Sequence, residues 1–390
     1  MRRSTDPLFT PAFIALTLSD LAYFTASGAL IGVTPFFVTG PLEAGPAAVG
    51  LTFGAFSVST LVLRPLAGRW TDRHGRRPLL IGGAGLFAVL VLGHLLVNDL
   101  VWLLALRLLM GMAEALYFVA GFAALADLAP PGRAGEALSY NSLALFAGIA
   151  TGPIIGQALL DLGGFRLVWA GIGLLLVLAA VLATRVPETH IPAAGQVPPA
   201  PLIHRAALVP GLGLFTGVTA MAGFLAFAAL HAAEVGLDLW SVTLGVYGVV
   251  VVTCRIVFAK VPDRAPPMRL AAASLGATAL GLLITVSVPA AWTLFLGAAV
   301  LAVGTAFLTP AIFAAIFSRV PESQRGSAAG TASVFLDLGF SGGPVVFGLV
   351  AAATSIPGAF VAGAAVAAGG SALLASRPAP GALPADTGAR

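Results

Sequence analysis

The sequence predicts an all-α polytopic membrane protein, with twelve transmembrane helices in two pseudo-symmetric six-helix bundles. Three observations predict it. The 390 residues are 58% hydrophobic and only 9% charged, with a mean hydropathy of +1.00, whereas water-soluble domains carry about 25% charged residues. Apolar runs of the roughly 20 residues that a bilayer requires recur down the whole chain. The two parts of the chain also correspond at a constant offset of 191 residues. Arg64, Asp72 and Arg73 recur as Arg255, Asp263 and Arg264; Pro130 and Gly135 recur as Pro321 and Gly326; Gly148, Gly152 and Pro153 recur as Gly339, Gly343 and Pro344. In lipid the backbone must pair within its own segment, so the runs are helices. They are continuously apolar rather than alternating, which argues against a β-barrel.

The first span is expected at 11–38. It follows the basic start Met1-Arg2-Arg3 and is too long for the apolar part of a signal peptide. Midway along it stands Asp20, on one face with Tyr23, Phe24, Ser27 and Ile31. The second and third spans, 47–67 and 79–97, are separated by the charged island Gly68-Arg69-Trp70-Thr71-Asp72-Arg73-His74-Gly75-Arg76-Arg77. Four arginines and an aspartate do not sit in hydrocarbon, so this is a short loop at a membrane surface. Its pattern, G-x-x-x-D-R-x-G-R-R, resembles the signature loop between helices 2 and 3 of the major facilitator superfamily of transporters. Gly68, Asp72, Arg73, Gly75, Arg76 and Arg77 are the specified positions. The resemblance implies a gate latch on the cytoplasmic side: Asp72 at a helix N-terminus, which favours an anion, with Arg73 and Arg76 paired to acidic groups. The second copy, at Ala259 to Arg264, lacks the glycine and continues Ala265-Pro266-Pro267.

The fourth span, 101–125, carries Arg107, Gly111, Glu114 and Phe118 on one helical face. Arg107 followed by Gly111 resembles the family's helix-4 motif, with Met110 where glutamine is common. Charged groups inside a membrane are costly and by default mark a pathway. The fifth span, 138–160, contains Gly148-Ile149-Ala150-Thr151-Gly152-Pro153-Ile154-Ile155-Gly156-Gln157. Glycines at every fourth position form a flat stripe for close helix packing, and Pro153 allows a bend. The run Gly148, Gly152, Pro153, Gly156 resembles a motif found mainly in the superfamily's antiporters, with Gln157 in its last position. The sixth span, 166–185, is followed by Pro187-Glu188-Thr189, a further echo of the family, as is Pro35 late in the first span.

Residues 186–205, with Pro187, Pro192, Pro198, Pro199 and Pro201, read as a semi-rigid cytoplasmic linker. It divides an N-terminal half, 1–185, from a C-terminal half, 206–376. Spans in the second half are expected at 206–230, 239–259, 268–287, 291–315, 327–350 and 357–376. His231 and Glu234 share a face at the outer end of the seventh span, and Asp337 lies in the eleventh at a depth similar to that of Asp20. The tail, 377–390, reads as disordered. Twelve spans put both termini on one side. With those termini inside, every Lys and Arg except Arg107, within a span, and Arg166, near the outer side, falls in an inner loop or at an inner helix end.

A net charge of +4 spread over many loops does not indicate nucleic acid. The single Cys254 excludes an internal disulfide, and the five histidines show no metal-ligand spacing. The only lysine, Lys260, follows Ala259, so no phosphate-binding loop is present. Neither an enzyme nor a metal or cofactor site is expected; a proton gradient supplies the energy. The expected function is alternating-access transport, with proton-coupled export of a small organic molecule or drug. The alternative is a symporter or facilitator for a sugar or other metabolite. Asp20, Arg107, Glu114 and Asp337 are the candidate coupling groups, and Tyr23, Phe24, Tyr117, Phe118, Asn141 and Phe146 the candidate cavity lining. Arg107 is expected to stabilise the charge on Asp20 or Glu114. Because Asp20, Glu114 and Asp337 outnumber Arg107, a cationic or zwitterionic amphiphile is the expected cargo. The composition, poor in lysine and rich in Ala, Gly and Arg, points to the inner membrane of a bacterium, with the lipid bilayer, protons and the cargo as partners of a monomer.

Overall fold

A computed structural model of the protein describes residues 7–130, 133–189, 204–258, 261–320 and 324–376. Arg2 and Arg3, most of the linker, Lys260, Pro321 and the tail from 377 lie outside the described residues. The described chain is helical, with no strand. Its elements are α1 Pro11–Thr39, α2 Pro46–His74, α3 Arg76–Leu92, α4 Leu100–Leu128, α5 Ala134–Ala183, α6 Leu208–Glu234, α7 Ser241–Val257, α8 Val261–Arg264, α9 Pro267–Ser287, α10 Ala291–Phe317, α11 Arg325–Ala353 and α12 Ile356–Ala375. Among the described residues ten helices are long and apolar enough to cross a membrane, and α7 is a shorter apolar helix.

Local chemistry sets the helix starts. Thr10 accepts a hydrogen bond from the Phe13 amide ahead of Pro11, Asp99 accepts one from Trp102, and Ser355 accepts one from Gly358. Gly75 separates α2 from α3 with φ at 91°, a conformation that side chains strain to reach. α5 is two helical arms that meet at a sharp turn, where Gly163 and Gly164 leave the helical conformation, the latter with φ at 65°. Its two arms then run back along each other. The Leu159 side chain lies against Gly171, twelve residues on, a separation of about 18 Å in a straight helix.

Small residues let the helices approach, and they do so twice in the same way. Gly148 and Gly152 sit on the α1 backbone at Phe24, Thr25 and Ala29, while Gly339 and Gly343 sit on α6 at Val218 and Thr219. Gly83 of α3 faces the Ala113 carbonyl of α4, and 191 residues later Gly304 of α10 faces the Ser274 carbonyl of α9. The close pair is kept and the glycine changes sides. α1 and α6 are the most buried of the long helices, which places them nearest the centre.

The first five helices meet the later ones along one seam. Gly50 of α2 packs on Pro344 and Gly348 of α11; Gly248 of α7 packs on Ala150 of α5; Gly32 of α1 packs on Trp240, just before α7. The Gly50 and Gly32 contacts lie at the end of the bundle distant from Gly75, and the Gly248 contact lies near mid-helix. The seam is closed at that distant end.

Candidate functional site

Asp20 is buried on α1, and its carboxylate is held by neutral groups. The Tyr117 hydroxyl lies 2.8 Å from Oδ1, and Asn141 Nδ2 donates to Oδ2 at 2.7 Å. Thr17 in turn donates to Asn141 Oδ1 at 3.2 Å. Beyond Tyr117, the Ser19 hydroxyl is 2.8 Å from the Tyr117 oxygen and donates to the Ala179 carbonyl, also at 2.8 Å. The Tyr117 ring stacks on Tyr23, with centroids 3.8 Å apart and planes 3° from parallel. Tyr23 donates to Glu114 Oε2 at 2.6 Å. Two buried carboxylates, Asp20 and Glu114, therefore share one pair of stacked phenols.

The cluster reaches the seam through aromatic rings. Tyr23 contacts Phe24, Phe24 contacts Phe118 edge to face, and the Arg64 guanidinium lies 4.9 Å over the Phe118 ring. Arg64 Nη1 then meets Asp337 Oδ1 of α11 at 2.5 Å, and it is within Coulombic range of Glu114. This ion pair joins α2 to α11. The sequence places Arg64 at an inner helix end, whereas α2 runs on to His74 and leaves Arg64 within the helix. The usable signal was its recurrence as Arg255, which marks a position in the repeat rather than a surface charge.

Arg107 does not stabilise Asp20 or Glu114. It donates to Thr34 Oγ1 of α1 and faces Phe53, while its Nε has no partner. The reason is distance along α4: seven residues separate it from Glu114, a rise of about 10 Å. Phe146 lies on α5 under the Arg255 guanidinium, 4.3 Å away. His231 Nδ1 is 3.6 Å from Glu234 Oε2 at the end of α6. Three arginines, Arg64, Arg107 and Arg255, thus lie within the helical layers with Asp20, Glu114 and Asp337. The excess of acids that suggested a cationic cargo disappears once Arg64 and Arg255 are counted.

The helix-5 stripe packs on α1. Gly148 and Gly152 meet Phe24, Thr25 and Ala29; Gly156 meets Ala29 and Val33; Pro153 faces Gly32. Gln157, in the last place of the stripe, crosses the seam: its Nε2 donates to the Asp238 carbonyl at 2.7 Å, and its Oε1 accepts from the Ser241 amide at 3.0 Å, at the start of α7.

The 68–77 segment is not the expected loop: it is the end of α2 and the start of α3, broken only at Gly75, because its apolar run ends at 67 but its helix does not. It is tied to its own group of helices. Arg76 pairs with Asp127 at 3.1 Å, and Thr189 donates to the same carboxylate at 2.8 Å. Asp72 is 74% exposed and lies 3.5 Å from Arg76, one turn away. The carboxylate at a helix N-terminus is Glu188 instead, which accepts from the Arg76 and Arg77 amides at 2.9 and 3.2 Å beside Gly75. Arg77 donates to the Thr184 carbonyl. Arg73 is exposed, and Gly68 has open space around its α-carbon.

These features agree with what the chain is similar to. The family model described as Major Facilitator Superfamily matches residues 13–288 and 263–389. An uncharacterized MFS-type transporter of Salmonella typhimurium is 29% identical over 334 residues, 83% of this chain and 85% of the relative. A bacterial homolog of the human lysosomal transporter Spinster, solved in an inward-facing occupied conformation, superposes with a TM-score of 0.75 at 16% identity, over 95% of this chain and 96% of that one. The human organic anion transporter MFSD10 gives 0.71 at 17% identity, over 95% and 100%. At these identities the structural likeness is one of fold. The family match spans both groups of helices, and the apolar bundle carries its ionised groups on the inside: the chain belongs to the Major Facilitator Superfamily.

Proposed function

We propose that this chain is a proton-coupled exporter of small organic molecules. It has twelve spans in two six-helix halves: the two arms of α5 and the shorter α7 complete the count begun by the ten long apolar helices. The halves are joined by the 186–205 segment and rock about the seam. It lies in a bacterial inner membrane with both termini and the 68–77 segment on the cytoplasmic side. The closed end of the seam then faces outward, and the exposed Asp72 belongs to a latch that engages when the inner side closes.

The row Asp20, Tyr117, Ser19, Ala179 carries this reading. It has three oxygen–oxygen contacts of 2.8 Å. A carbonyl gives no proton and two hydroxyls give two, so one contact lacks a hydrogen while Asp20 is ionised. A proton on Asp20 completes the row: Asp20 donates to Tyr117, Tyr117 to Ser19, and Ser19 to Ala179. An ionised carboxylate away from water and without a cation is costly, and the proton removes that cost. Asp20 is thus the proton carrier, and Glu114, joined through the stacked tyrosines, is its neighbour in the cycle.

The test is flux in inverted vesicles with an imposed pH gradient, using a panel of fluorescent organic cations, anions and neutral compounds. Accumulation should collapse with a protonophore and in Asp20→Asn, and should fall but persist in Tyr117→Phe. Gradient-driven flux that survives Asp20→Asn would remove Asp20 from the cycle. Flux indifferent to the protonophore would indicate a facilitator, and release from the vesicles in place of accumulation would indicate symport.

A further inference from the structure

The two arginines related by the repeat occupy equivalent places with different partners. Arg64 of α2 lies against residue 337 of α11, and Arg255 of α7 lies against residue 146 of α5. Both members of the second pair are displaced by 191 residues, in opposite senses. Asp337 and Phe146 each lie twelve residues into their helices, which begin at Arg325 and Ala134. The sites therefore share one geometry, and they differ in what faces the cation. Arg64 has a carboxylate at 2.5 Å. Arg255 has the face of a phenyl ring at 4.3 Å, its Nε has no hydrogen-bond partner, and among the described residues no carboxylate pairs with it.

A guanidinium stacked on a ring uses its face and leaves the N–H donors at its edge free, in a fork that fits a carboxylate. A cation held within a membrane layer without an anion is an unfilled site by default. Arg64 shows what this position binds when an acid is supplied. We propose that Arg255 and Phe146 form an anion site in the seam, which takes the carboxylate of an aromatic organic acid, the guanidinium edge holding the carboxylate and Phe146 lying beside the aromatic body. This rests on the transporter reading above and adds the charge of the cargo to it. The cargo supplies in the second half the carboxylate that Asp337 supplies in the first.

The test is equilibrium binding to the purified full-length protein in detergent, which requires no proton gradient and no flux. The probes are 2-naphthoate, its neutral match 2-naphthamide, and 2-naphthyltrimethylammonium. Naphthoate should bind, and naphthamide should bind at least about tenfold more weakly, the change that loss of a charge-assisted contact implies. Arg255→Gln should weaken naphthoate by a similar factor and leave naphthamide unchanged. Phe146→Asp recreates the Arg64–Asp337 pair in the second half. It should abolish naphthoate binding while the thermal midpoint stays at or above that of the unaltered protein, so the loss is not misfolding. Equal naphthoate affinity in both variants, equal binding of naphthoate and naphthamide, or preference for the ammonium probe would each overturn the site. The pH-driven flux experiment stands or falls separately.

Discussion

Among the described residues, Arg64 and Asp337 carry the one ion pair that joins α2 to α11, and the two side chains are 26% and 11% exposed. Removing one partner from such a pair costs more than removing both, because the remaining charge keeps its desolvation without its counter-charge. Arg64→Gln is expected to destabilise the protein by about 3 kcal/mol, and the double variant with Asp337→Asn by less than the sum of the single changes. Thermal unfolding in detergent checks this; additive losses would mean that the contact contributes no coupling. The same arginine shows where residues were legible and where they were not. Asp20, Glu114, Tyr23, Tyr117 and Asn141 were found because polar groups in an apolar run declare themselves. Arg64 was hidden because its span was read as ending at 67. α2 continues to His74, which sets Arg64 about 15 Å back from the helix end at 1.5 Å per residue. Arg107 was seen, but its partner was not: which side chain it meets depends on the rotation and depth of α1 against α4, which spacing along one helix does not contain.

Two adjacent glycines in α3 separate packing from propensity. A Cβ at Gly82 meets nothing within 4 Å, whereas one at Gly83 would lie 2.7 Å from the Tyr117 amide nitrogen and 3.0 Å from the Ala113 carbonyl of α4. Gly82→Ala should leave stability unchanged or raise it by up to about 1 kcal/mol, since alanine is the better helix former. Gly83→Val should cost about 2 kcal/mol or more by forcing α3 and α4 apart. Because Tyr117 holds Asp20, the Gly83 variant should also reduce pH-driven flux, whereas the Gly82 variant should not. Thermal midpoints and vesicle flux check both; equal effects of the two would show that the Gly83 contact does not position the tyrosine. At this scale the sequence was informative about spans and less so about joints. Apolar length marks a helix wherever it lies. The turn at Gly163 and Gly164 folds the second arm of α5 back on the first within one apolar run, and Glu188 caps α3 from a segment more than a hundred residues away. Neither arrangement has a local pattern. The 191-residue offset did foreshadow packing, since Gly148 with Gly152 and Gly339 with Gly343 each seat the first helix of their group.

For the molecule as a whole, what decides the working cycle is how firmly the closed end of the seam is held. Most of that end is apolar contact between small residues, such as Gly50 on Pro344 and Gly348, which separates with little directional preference. Gln157 is the directional element, with its amide bridging Asp238 and the first amide of α7 next to Trp240, which also packs on Phe36. Two net hydrogen bonds are worth about 2 kcal/mol, or about thirtyfold in the population of the closed end. Gln157 extends the glycine stripe with a side chain that crosses the seam, so this protein has a fastening that the stripe of glycines alone does not supply. With the orientation proposed above, Gln157→Ala should therefore populate the outward-open state. In a Cys254→Ser background with Phe36→Cys as the reporter, a membrane-impermeant thiol reagent added from the outside should react at least about tenfold faster when Gln157→Ala is present, the rate following the open population. The thermal midpoint should fall only slightly, because the substitution removes contacts from one state of the cycle and leaves both groups of helices packed. An unchanged labelling rate would mean that the apolar seam holds the outer end closed unaided, and that the amide serves only to start α7.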